Sequence, residues 1–197
     1  MKKFVIAVLA VLFVAPAAIA EGWGVGVKLG AGENDPKTMK EAFDSLGGEL
    51  DKNAGYFNLE VLHEWALNDE ANKIGAKVGW DMYGENEYKR LGQKATEETY
   101  SFPFTVYYKR DNGVKNLSWF GGAGVTILRS KIEVGANDTS KNKVFPHVVI
   151  GGEYRFTKVF ALGLEARYNF AAKVKKDGMV LSDRTGFGGA LTGRFYF

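Results

Sequence analysis

The chain of 197 residues has no cysteine, only four prolines and only two histidines. Without cysteine there is neither a disulfide nor a thiolate metal site. Two isolated histidines fall short of the three or four ligands that a zinc site takes. No metal and no cofactor is therefore expected. A charge excess is missing too: 26 basic residues face 23 acidic ones. Lys2 and Lys3 lie in the first 20 residues, so 24 basic against 23 acidic remain from Glu21 onward. That balance offers nothing to a nucleic acid, and none is expected as a partner. After residue 20 no apolar run approaches the roughly 20 residues of a membrane-spanning helix. If this part of the chain crosses a membrane, it must do so as a closed barrel, because lipid leaves no partner for a free backbone N–H or C=O. Walker motifs, nucleophile elbows and zinc-ligand spacings are absent. Gly22-Trp23-Gly24-Val25-Gly26 looks like a nucleotide loop, but it lies inside an alternating strand rather than before a helix.

What is present begins with a leader. Met1-Lys2-Lys3 precedes an apolar run from Phe4 to Val14, and Ala18-Ile19-Ala20 supplies a small-x-small end. These are the parts of a secretory signal peptide, so residues 1–20 are expected to be cleaved and the mature domain to span residues 21–197. No cysteine follows, which removes a lipid-anchored form.

The remainder is rich in glycine (25) and in aromatics (14 Phe, 9 Tyr, 4 Trp), a barrel composition. Period-2 alternation recurs in eight segments. One face reads Trp23, Val25, Val27, Leu29, and later Phe57, Leu59, Val61, His63, Trp65. It continues through Ala76, Val78, Trp80, Met82, then Phe102, Phe104, Val106, Tyr108. The second half adds segments starting at Trp119, Pro146, Phe160 and Phe187. The eight apolar faces hold no Asp, Glu, Lys or Arg. The opposite faces hold Lys28, Glu60, Glu64, Lys77, Asp81, Lys109, Glu153, Arg155, Glu165, Arg167 and Arg194.

Alternation alone does not say which face points inward. A soluble barrel turns its apolar face in, and a membrane barrel turns it to lipid. The connections decide for lipid, because they alternate between long and short. Residues 32–54, 84–98, 129–143 and 171–183 are read as long loops, with short turns between them, which is the outer-membrane arrangement. The last strand also finishes on Phe195, Tyr196 and Phe197, aromatics suited to a lipid–water boundary. The same boundary suits Trp23, Trp65, Trp80, Trp119, Tyr168 and Phe170.

Three local features carry functional weight. Asp35-Pro36 followed by Met39, Ala42, Phe43, Leu46 and Gly47-Gly48 predicts a short amphipathic helix over residues 36–46, in the first long loop. It would pack on the barrel mouth or serve as a lid. An eight-stranded barrel is just wide enough for side chains to fill. Glu60, Glu64, Lys77, Asp81, Glu153, Arg155, Glu165, Arg167 and Arg194 are thus expected to form an interior charge network, since unpaired buried charge is costly. The inward glycines leave a narrow channel as the alternative. His63 invites a lipid-modifying hydrolase on the outer wall, yet its same-face neighbours Val61 and Trp65 supply no nucleophile. No catalytic residue is assigned.

Trp119-Phe120-Gly121-Gly122-Ala123-Gly124, the run from Leu162 to Tyr168, and Gly193-Arg194-Phe195-Tyr196-Phe197 resemble the small outer-membrane β-barrel superfamily. That superfamily includes the OmpA transmembrane domain and the OmpX-like and OmpW-like proteins. The resemblance implies an all-β, up-and-down antiparallel barrel of eight strands in the bacterial outer membrane. Its partners would be outer-membrane lipid and lipopolysaccharide, with an unidentified extracellular or periplasmic protein besides. It also implies that Phe197, Phe195 and Leu191 form the signal read by the barrel-assembly machinery. A non-enzymatic role in envelope structure or surface interaction is the leading expectation. An OmpW-like narrow channel for small hydrophobic solutes comes second and a lipid-modifying enzyme third.

Overall fold

The computed structural model describes residues 22–32, 49–51, 55–67, 71–84, 86–90, 93–114, 116–134, 137–176 and 179–197. They form twelve strands: β1 (Trp23–Gly32), β2 (Glu49–Asp51), β3 (Gly55–Ala66), β4 (Asn72–Tyr83), β5 (Asn86–Arg90) and β6 (Gln93–Asp111). Then follow β7 (Leu117–Val134), β8 (Asn137–Arg155), β9 (Phe160–Asn169), β10 (Lys173–Lys176), β11 (Met179–Asp183) and β12 (Gly186–Tyr196). Eight of them close a ring in the order β1, β3, β4, β6, β7, β8, β9, β12, with every neighbour antiparallel. The chain is an all-β, eight-stranded up-and-down barrel. The leader over residues 1–20 and the helix expected over residues 36–46 lie outside the described residues.

Alternation makes the wall. On β6, Ser101, Thr105, Tyr107 and Lys109 are buried inside while Phe102, Phe104, Val106 and Tyr108 stand exposed outside. The outward face of β6 carries no charge between Tyr100 and Tyr108, and Glu98 and Arg110 lie just beyond. On β7 the uncharged face runs from Trp119 to Ile127, with Arg129 next. This is the height of a lipid-facing band, in whose middle a Lys or Arg would cost about 2–4 kcal/mol.

The turns at one end are tight. Leu67 N–H donates to Asn72 O at 2.8 Å, and Asn112 N–H to Leu117 O at 2.9 Å. Gly113 at φ 69° and Asn116 at φ 69° supply the left-handed corners of the second turn. In the third, the Thr157 hydroxyl accepts from Phe160 N–H at 3.0 Å. The first and last strands meet at this same end, where Gly22 N–H donates to Phe197 O at 3.0 Å. Short turns place this end in the periplasm.

The other end differs from the reading of residues 84–98, 129–143 and 171–183 as loops. Residues 84–98 contain β5 and the start of β6, which pair from Asn86 with Glu97 to Arg90 with Gln93. Residues 129–134 and 137–143 are the continuation of β7 and β8, paired without a break as far as Val134 with Asn137. Residues 171–183 contain the β10–β11 hairpin. The reason is physical: above the lipid no face has to be apolar, so the ladder continues after the period-2 signal has stopped. β6, β7 and β8 reach 19, 18 and 19 residues, against the roughly 10 needed to cross. The surplus projects on the order of 25 Å beyond the band as a paired fin.

Candidate functional site

The inward residues stack in layers along the barrel axis. Nearest the periplasm, Lys109 Nζ lies 3.0 Å from Glu64 Oε1, forms an ion pair with Glu153 and reaches the Tyr196 hydroxyl at 3.1 Å. Tyr107 donates to Glu64 at 2.9 Å and Tyr196 to Glu153 at 2.8 Å, so these carboxylates are satisfied from several strands.

Arg194 forms the next layer. Its Nε donates to Glu60 at 2.7 Å, Nη1 to Glu153 at 3.0 Å and Nη2 to Glu165 at 3.1 Å. Lys28 bridges Glu60 at 2.8 Å and Glu165 at 2.7 Å, and Lys77 reaches Glu165 at 2.5 Å. Higher still, Arg167 pairs with Asp81 at 2.9 Å. Asp81 also accepts from Ser101 at 2.6 Å and from Asn58 at 2.7 Å. His147 sits between the Thr105 and Thr126 hydroxyls, 2.9 Å from each. A small apolar plug of Leu128, Phe145, Ala172 and Val174, backed by Tyr83, packs at the end away from the tight turns.

These layers leave almost no space. Among the described residues six buried cations (Lys28, Lys77, Lys109, Arg167, Arg184, Arg194) stand against six buried anions (Glu60, Glu64, Asp81, Glu97, Glu153, Glu165). Balance of this kind is what a narrow lumen demands, since a lone buried charge costs several kcal/mol. The gap beside Lys28, Lys77, Gly79, Pro103 and His147 measures about 10 Å³. That is room for roughly one water. Inward glycines do not widen it. The Tyr56 ring fills the place of a Gly30 side chain, Tyr107 that of Gly75 and Phe120 that of Gly151. At Gly124 a Cβ would strike the Phe104 carbonyl oxygen, so strand packing requires glycine there.

The residues singled out from sequence fall into different places. Glu60, Glu64, Lys77, Asp81, Glu153, Glu165, Arg167 and Arg194 are buried together. Arg155 instead lies at the periplasmic mouth, its side chain 29% exposed and 3.7 Å from Glu153, with its guanidinium over the Tyr196 ring. That mouth opens into a vestibule of about 810 Å³. Lys28 and Lys109 were left out of the expected network although both sit on the polar face of their strands. Their alternation was the signal that finds them. Trp23, Trp65 and Trp119 lie outward toward the periplasmic end, and Trp80, Tyr168 and Phe170 outward toward the other. Leu191 and Phe195 face outward, with the Phe195 ring 5.0 Å from Phe160. His63 lies between the rings of Trp23 (4.8 Å) and Trp65 (4.4 Å). Its Nδ1 has no hydrogen-bond partner among the described residues.

Comparison with known proteins agrees with this geometry. Neisserial surface protein A is 15% identical and superposes with a TM-score of 0.52 over 90% of this chain and 98% of its own. Ail, the attachment invasion locus protein of Yersinia pestis, is 15% identical, with a TM-score of 0.52 over 90% and 99%. OprG of Pseudomonas aeruginosa is 9% identical, with a TM-score of 0.52 over 90% and 96%. At these identities the likeness is one of fold. No curated protein matches the sequence. The family described as outer membrane protein beta-barrel domain matches over residues 4–195. A closed eight-stranded wall with an uncharged outer band and a charge-paired interior is the structure such a domain requires, and the chain belongs to this outer-membrane β-barrel family.

Proposed function

We propose that the protein is a non-enzymatic, sealed outer-membrane barrel that acts through envelope position and through the surface its fin presents outside the cell. One observation carries this reading: the lumen is filled by balanced ion pairs and capped by the Leu128–Phe145–Val174 plug, leaving gaps of about 10 Å³. Transport would need space the interior does not have, and on the outer wall the cross-strand neighbours of His63 are Trp23 and Ala76, neither a nucleophile, so the reading rests function on the projecting β6–β7–β8 sheet. The names of two structural relatives, a surface protein and an attachment invasion protein, point the same way. The test is conductance of the refolded barrel in planar bilayers. No unitary current is expected, and a reproducible one overturns the reading.

Residues 1–20 act on this reading as a cleaved leader, and Phe197, Phe195 and Leu191 as the assembly signal. Amino-terminal sequencing of the membrane-fraction protein should begin at Glu21. Phe197→Ala should lower the amount of assembled barrel in that fraction.

A second reading, passage of small hydrophobic solutes, is favoured by one feature of the wall. The β4–β6 ladder runs from Asn72 with Arg110 to Val78 with Phe104 and resumes only at Asp81 with Ser101. Pro103, which has no N–H to donate, faces that break and lines the gap behind it. Uptake of an apolar dye into vesicles, lost in Pro103→Val, would support this route. Equal uptake by both proteins would remove it.

A further inference from the structure

The ladder between β8 and β9 ends with His147 opposite Asn169, just below Phe170, whose N–H donates to Pro146 O at 3.0 Å. Above that point the strands part. Among the described residues β8 continues toward Asn137 paired with β7 alone, while the chain after β9 turns through Ala171, at φ 49°, into β10. A groove of about 690 Å³ occupies the parting, lined by Lys141, Lys143, Lys173, Lys175, Asn142 and Thr185, together with Ala171 and Val174. Four of these residues are lysines and none is acidic. Lys141 ties across by donating to Lys175 O at 3.0 Å. Lys173 meets Asp183 at 3.0 Å, yet its side chain stays 41% exposed.

The height of the groove identifies its occupant. Next to the groove residue Ala171 stands Phe170, whose ring lies 4.8 Å from Tyr168, and Tyr168 in turn lies 4.7 Å from Phe187. Such an outward aromatic cluster marks the lipid–water boundary. Phosphate groups of outer-leaflet lipids lie just above that boundary, where ammonium groups serve as point-charge phosphate binders. We propose that this groove holds the phosphate of an outer-leaflet lipid headgroup. The inference rests on the outer-membrane reading above, and it names the residues by which the barrel would engage its lipid.

The experiment takes the barrel refolded in detergent micelles and titrates it with diphosphorylated lipid A, with the same lipid lacking both phosphates, and with inorganic pyrophosphate. Native mass spectrometry reads the bound species. Lys141→Gln/Lys143→Gln/Lys173→Gln/Lys175→Gln should retain the phosphorylated lipid roughly tenfold less than wild type, the equivalent of one charge-assisted hydrogen bond. The same four positions changed to Arg should retain it, because the charge is kept. If the glutamine variant does not fold, the wild type decides by itself: removing the lipid phosphates must weaken retention. Equal retention of the two lipids, or of wild type and glutamine variant, overturns the proposal. So does pyrophosphate binding without retention of lipid A, which would make the groove a site for free anions. A barrel that conducts ions yet holds lipid phosphate would overturn the sealed-barrel reading and leave this one standing.

Discussion

Lysine behaves in two ways in this barrel, and the difference is where each lysine stands along the axis. Lys28, Lys77 and Lys109 are 4, 5 and 1% exposed and each meets at least one carboxylate. Lys141, Lys143 and Lys175 line a groove at the extracellular rim that no acid lines. Lys28, Lys109, Lys141 and Lys143 share the inward alternation of their strands. Below the plug an inward lysine enters a closed lumen, where desolvation must be offset by an anion. Above the plug the wall has opened between β8 and β9, and water solvates the same side chain there, while Glu97 on β6 stays buried with Thr99 and Ser130 as donors. The comparison predicts that charge removal is severe inside and nearly silent at the rim.

The largest effect is expected at Arg194, which donates to three carboxylates. Arg194→Met keeps much of the volume and strands Glu60, Glu153 and Glu165 with fewer partners. A loss of about 3–5 kcal/mol is expected, the usual cost of breaking a buried charge cluster from one side. Urea unfolding in phospholipid vesicles, followed by tryptophan fluorescence, measures it. A loss below about 1 kcal/mol, typical of exposed pairs, would mean that water reaches this layer and that inside and rim do not differ.

Lys109→Met comes next and sharpens the same point, because its cost should belong to the pairing rather than to lysine itself. Glu64 and Glu153 lose a shared cation but keep Tyr107 and Tyr196 as donors. Adding Glu153→Gln should recover part of the loss, a coupling of about 1–3 kcal/mol in a double-mutant cycle. Strict additivity would show that the two side chains do not interact in the membrane.

How much of this was legible in the sequence follows the same boundary. β9 could be read residue by residue, since Phe160, Leu162, Leu164, Ala166 and Tyr168 must face lipid. The fin could not: Ser130, Lys131, Ser140, Lys141 and Asn142 carry no apolar alternation, because the outward face meets no lipid there and the inward Ser130 is buried against Glu97, a polar neighbour. Their ladder shows only in the paired backbone. Inside, alternation marks Lys28 and Glu165 as inward but cannot bring them together across 137 residues. That contact depends on how the strands are staggered round the ring. Nor does it reveal that Tyr56, Tyr107 and Phe120 lie over Gly30, Gly75 and Gly151, which is why inward glycines looked like a possible channel.

The plug lies on the boundary between the two regimes and should give an intermediate result. Leu128 is fully buried against Phe145, Ala172 and Val174. Leu128→Ala should cost about 2–3 kcal/mol, the low end for a buried leucine, because the cluster is small and free to relax toward the mouth. Conductance should stay absent, since Arg167, Asp81 and Ser101 still fill the layer beneath. A current appearing in this variant would make the plug, and not the ion pairs, the seal.

The smallest effect is expected at Lys143, on the same strand and the same face as His147 but above the closed lumen. Lys143→Gln removes a full positive charge, as Lys77→Gln would inside, yet no acidic side chain lines its groove and no carboxylate there loses a partner. Stability in vesicles should change by no more than about 0.5 kcal/mol, the usual range for a surface position. If the change instead approaches that of Lys109→Met, the lumen extends higher than the plug and the rim lysines belong to the buried network. A silent Lys143→Gln beside a costly Lys109→Met places the edge of the sealed interior between Phe145 and Lys143, two residues along one strand.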